Sequence, residues 1–134
     1  MKKVGFVCLL GMLVFLLSCG HPTTMVSMSI TPSTASVLGI GDIIPVQYTA
    51  YGTFIHPSET RNVTTEVTWT SSVLQVATVN NSGLVTPSGI ACGGTIITAT
   101  AGKNLIGTGS SQAVITAQAT FTVADPSVTG CPAQ

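Results

Sequence analysis

Four cysteines, two histidines and four carboxylates are the residues of this 134-residue chain able to do chemistry beyond packing. None of the cysteines forms a CxxC pair. Neither His21 nor His56 has a second ligand at metal spacing, so zinc is not implied. Serine is plentiful, yet no strand-turn-helix elbow sequence surrounds any of it, as a hydrolase nucleophile would need. Glu59 and Glu66 flank one polar stretch and are the nearest approach to a carboxylate pair for glycoside cleavage. A solvated loop explains them more simply. Calcium would need a dense Asp/Asn cluster, which is missing. The chain is therefore expected to have no catalytic residue, no metal site, no cofactor and no enzymatic activity.

The strongest signal is at the start. Lys2 and Lys3 precede an apolar or small-residue run from Val4 to Leu17. This run is shorter than the roughly 20 residues a membrane-spanning helix needs, and it suits the apolar region of a secretory signal. Leu16-Leu17-Ser18-Cys19 resembles the lipobox of bacterial lipoproteins. The resemblance implies cleavage after Ser18, a signal peptide over 1–18, and a diacylated Cys19 opening a short tether over 19–24. An ordinary signal peptide with an incidental Cys19 is the other reading. Lipid attachment would make the membrane a partner and place the protein in a bacterial cell envelope. Gly20 resembles the residue that follows the lipidated cysteine in lipoproteins sent to the outer membrane of double-membraned bacteria. At about 3.3–3.6 Å per residue, this tether would hold the folded part within roughly 20 Å of the bilayer.

Beyond the leader, the charges are Asp42, Glu59, Glu66 and Asp125 against Arg61 and Lys103, a mildly acidic set. No basic patch exists to neutralise phosphates, so nucleic acid is excluded as a partner. Cys92 and Cys131 remain, and an even pair in an exported domain reads as a disulfide; two free thiols are the alternative. Threonine and serine make up about a quarter of the residues, a bias towards strands.

The elements follow from the spacing. Val26, Met28 and Ile30 alternate with polar residues, as in a half-buried strand. Val46, Tyr48 and Ala50 share one face of the next strand. A polar excursion is expected over 52–65, then strands around Val67-Thr68-Trp69, Val76 to Val79, Leu84 to Thr86 and Thr95 to Ala101. A Gly-rich hairpin over 102–112 leads to a final strand over 113–124. The pattern predicts an all-β sandwich of seven or eight strands with Greek-key connections, one domain over 25–125, and a tail over 126–134 pinned by the disulfide.

In chain order the sequence carries Ile30-Thr31-Pro32-Ser33, Val46-Gln47-Tyr48-Thr49-Ala50 and Val67-Thr68-Trp69-Thr70-Ser71-Ser72. Val76-Ala77-Thr78-Val79, Asn81-Ser82-Gly83-Leu84-Val85 and Ile97-Thr98-Ala99 follow. These six blocks resemble the group 2 bacterial immunoglobulin-like domain. The resemblance implies an immunoglobulin-like Greek-key sandwich and a non-catalytic structural, adhesion or interaction role. The longer final hairpin, the 52–65 excursion and the cysteine pair depart from the family pattern. In this topology Cys92 and Cys131 fall at the end opposite the N-terminus, while the excursion and hairpin share the other end. Phe54, Ile55, Leu105 and Ile106 would either cap the sandwich there or form an exposed interaction patch. Such a patch would touch lipid, another envelope or surface protein, or a glycan. A small anchored binder or inhibitor acting through loops at one pole is the alternative function.

Overall fold

A computed structural model describes residues 23–107 and 114–133; the leader, Cys19 and His21 lie outside them. The chain opens with β1 (Thr24–Thr31), crosses at Pro32 into β2 (Thr34–Leu38), and continues through β3 (Val46–Gln47), β4 (Thr49–Ile55) and β5 (Glu59–Asn62). Then come β6 (Val67–Ser71), β7 (Ala77–Val79), β8 (Leu84–Pro87), β9 (Gly93–Ala101), the short helix α1 (Lys103–Ile106) and β10 (Thr116–Ala124).

One layer is the sheet β2-β10-β9-β6, in which β2 runs parallel to β10 and the other pairs are antiparallel. The opposing layer is two three-stranded pieces, β1-β4-β5 and β3-β8-β7. They share one extended run, because β3 and β4 are separated only by Tyr48, whose N–H donates to the Gly83 carbonyl at 2.8 Å. The expected strand containing Val46, Tyr48 and Ala50 is thus present, with Tyr48 and Ala50 both buried.

Three expectations are corrected. The excursion over 52–65 is mostly strand: β4 extends through Ile55, turns at His56–Ser58, and β5 returns along it, pairing Gly52 with Arg61 and Phe54 with Glu59. Turn residues crowd the sequence here, but pairing supplies partners for backbone groups that a loop would leave to water. The hairpin over 102–112 begins instead with α1, and 108–113 lie outside the described residues. In β1, Met25 faces the core and Val26 faces out, because the register shifts between Met25 and Ser27. One extra residue in a strand flips the side chains on one side of it to the other face.

The core runs between the layers and is centred on Tyr48, Trp69, Val85, Ile97 and Phe121. Buried side-chain nitrogen and oxygen atoms are all partnered among the described residues. Thr95 shows how: its hydroxyl oxygen accepts from the Val73 N–H at 3.0 Å and lies 2.8 Å from the Ser71 hydroxyl. The sandwich has two distinct ends. Thr24 pairs with Ile55, and the chain just after α1 packs against Thr24, so the β4–β5 turn and α1 share the N-terminal end. Gly93 pairs with Val123, and Leu38 with Ala124, at the far end.

Burial pushes the Tyr48 phenol from its ordinary value of 10.0 up to about 12, while its hydroxyl donates to the Thr120 carbonyl at 2.9 Å. A phenol with a raised folded-state pKa stabilises fully below pH 10, and that contribution is lost as pH rises through about 12. Denaturant unfolding should therefore lose on the order of 2 kcal/mol across this window, and Tyr48→Phe should flatten that loss.

Candidate functional site

The acidic pair singled out from the sequence lies at the N-terminal end, held by a single cation. Arg61 sits on β5 opposite Gly52, and its guanidinium forms a two-pronged pair with Glu66, the Nη2–Oε2 bond measuring 3.1 Å. Its Nε lies 3.9 Å from Glu59, and its plane covers the Phe54 ring at 4.5 Å. The Arg61 hydrogen bond holds the Glu66 carboxyl below the usual carboxylate range. A general acid needs the opposite shift, towards neutrality. The arrangement ties β5 to the following turn and leaves Glu66 poorly suited to deliver a proton.

Cys92 and Cys131 are bridged, with a Cα–Cα distance of 5.6 Å and a sequence separation of 39. In the chain-entropy model, closing such a loop stabilises by about 4 kcal/mol. The bridge sits at the far end, because Cys92 immediately precedes β9 and the tail follows β10. Asp125 adds a second clasp: its carboxylate accepts from the Ser127 hydroxyl and from the Ile40 N–H, which together hold it below its ordinary range.

Of the two readings for Phe54, Ile55, Leu105 and Ile106, the exposed patch does not form. Phe54, Leu105 and Ile106 are buried, and Ile55 alone remains 39% exposed. Strand alternation explains the first pair, since neighbours on β4 must face opposite sides. Leu105 and Ile106 lie on α1, which packs against β1 and closes the N-terminal end. These residues cap the sandwich. Cys19 lies outside the described residues.

Two surfaces went unread in the sequence. The outer face of β2-β10-β9-β6 is rich in hydroxyls, with Ile96, Gln118 and Leu38 among them. Thr68 stands opposite Thr100, which stands opposite Thr116, and Thr34 stands opposite Thr120. Three strands contribute Thr-x-Thr: Thr68 and Thr70, Thr98 and Thr100, Thr120 and Thr122. Strands about 4.8 Å apart, with about 6.6 Å between alternate residues, make these hydroxyls a grid. No charged residue occurs in any of the four strands. The second surface is the far end, where Ile43, Ile44 and Ile90 are exposed. Its one local signal was Ile43-Ile44, an apolar pair among turn residues.

A family model for the bacterial Ig-like domain (group 2) matches residues 24–113. Ice-binding protein 1 of Shewanella frigidimarina is 39% identical over 94 residues, which is 65% of this chain and 10% of that protein. The chain therefore spans about a tenth of the length of this relative.

Proposed function

Because the chain belongs to the group 2 bacterial Ig-like family, we propose that it is a non-catalytic, lipid-anchored module of the bacterial cell envelope with a structural or interaction role. One observation carries this reading: the apolar residues of the family pattern are taken up by packing. Trp69, Val76, Ala77, Val85, Ile97 and Ala99 are all buried, and Gly83 makes a turn. The apolar part of the motif thus builds a body and supplies no chemistry of its own. The signal-like leader and Cys19 supply the attachment, at the outer membrane where the organism has two. Labelling cells with radioactive palmitate should mark the mature chain and place it in the membrane fraction, and Cys19→Ala should abolish both. An unlabelled chain that is exported freely soluble would contradict the anchor.

The hydroxyl grid favours a second reading, that the module's ligand is ice. The relative is named for ice binding, although the shared region is only a tenth of it. Threonine offers a hydroxyl for hydrogen bonding beside a methyl, and an uncharged, regular array suits a regular, uncharged surface of water. No exposed aromatic lies on these strands to stack on a sugar, since Trp69 and Phe121 face inward. On this reading the purified mature module slows ice recrystallisation, and the double variant Thr98→Lys, Thr120→Lys loses the effect while keeping its melting temperature. Wild type indistinguishable from that variant would remove ice from consideration.

A further inference from the structure

The far end of the sandwich is an apolar surface on a pinned frame. Three chain segments meet there. The turn after β2 joins the tail through Gly39 N–H to the Ala124 carbonyl at 2.7 Å and Ile40 N–H to the Asp125 carboxylate at 3.0 Å. The tail joins the segment before β9 through the Cys92–Cys131 bridge. That segment returns to the first, because Ile43 packs over Gly89, where an added Cβ would lie 3.1 Å from Ile43 Cγ2. The ring of contacts is closed, yet it carries Leu38, Ile43, Ile44, Ile90 and Val128 outward, between 41% and 77% exposed. Side chains of this kind ordinarily collapse onto a core. A fixed frame that leaves five of them exposed at one end of the fold marks an interaction surface.

Charge says what kind of partner fits. Asp42 and Asp125 are the charged residues of these segments, whereas both cations among the described residues, Arg61 and Lys103, belong to β5 and α1. Two copies meeting tip to tip would set acid against acid. An anionic bilayer would be repelled in the same way. A surface with an apolar centre and a basic rim would bury the isoleucines and complement the aspartates.

We propose that this tip docks a partner protein through an apolar patch rimmed by lysine or arginine. The proposal deepens the interaction role given above and rests on it, but needs neither the lipid anchor nor ice. It is tested with the full chain in its own bacterium, carrying photoreactive p-benzoylphenylalanine in place of Ile90, or of Thr98 as a control on the sheet face. Irradiation should give a single protein adduct at position 90 and none at position 98, with the linked partner peptide holding apolar residues beside Lys or Arg. The purified partner should bind Ile44→Ser at least tenfold more weakly, at unchanged melting temperature, and Asp42→Asn should bind with a shallower salt dependence. An adduct between two copies, a lipid adduct, no adduct, or affinity indifferent to Ile44→Ser would overturn it. Palmitate labelling reads the anchor separately, so loss of the tip and loss of the envelope assignment are distinguishable.

Discussion

Close approach at Gly83 is the constraint on which the sandwich depends. Its φ of +76° is a left-handed conformation, and a Cβ there would stand 2.3 Å from the Tyr48 carbonyl oxygen. The same Cβ would be 3.0 Å from the Thr64 methyl and 3.1 Å from the Trp69 ring. Around this gap the two layers are tied in both directions. The Tyr48 hydroxyl reaches from one layer to the Thr120 carbonyl in the other, and the Trp69 indole N–H reaches back to the Thr64 carbonyl at 2.8 Å. Thr64 is itself fixed, since its hydroxyl accepts from the Ala50 N–H at 3.0 Å. Apolar area drives the layers together without direction; these bonds, each satisfying a buried polar atom, select one way of stacking them.

A body organised in this way leaves function to its faces. The N-terminal end is capped by α1 and by the paired charges of Arg61 and Glu66. The outer sheet face is hydroxylated and uncharged, and the far end is apolar with two acids. Such segregation is possible because the fold takes little from the surface: its bonds are backbone ladders and buried side chains. Sandwich domains can therefore exchange partners by changing face residues while keeping the interior.

Most of the fold was legible because strands advertise themselves through alternation. Trp69, Val85, Ile97 and Phe121 sit on the inward face that the period-2 pattern assigns them. What escaped depends on contacts distant in sequence. Whether Gly52 to Ile55 is loop or strand is decided by pairing with β1, twenty-odd residues upstream, and no local residue reports it. The bulge after Met25 is likewise a property of two strands, not one. For the surfaces, Phe54 and Leu105 looked alike in the sequence to Ile43 and Ile90, each apolar in a segment crowded with turn residues. The difference lies in what packs against them: Phe54 and Leu105 are buried where β4 and α1 meet β1, whereas a hydrogen-bonded and disulfide-linked ring holds the second pair out. The cysteine pair was readable because an even pair outside any metal-binding spacing suggests a disulfide, which needs no geometry to suspect.

The most direct test of this account is the unfolding free energy of Gly83→Ala. Left-handed backbone alone costs an L-residue roughly 1–2 kcal/mol. The added methyl must also displace the Tyr48 backbone, which cannot rotate aside, so the loss should clearly exceed that figure and be accompanied by altered Trp69 fluorescence. A variant that unfolds at the wild-type midpoint with an unchanged spectrum would show that the approach at Gly83 does not hold the layers together.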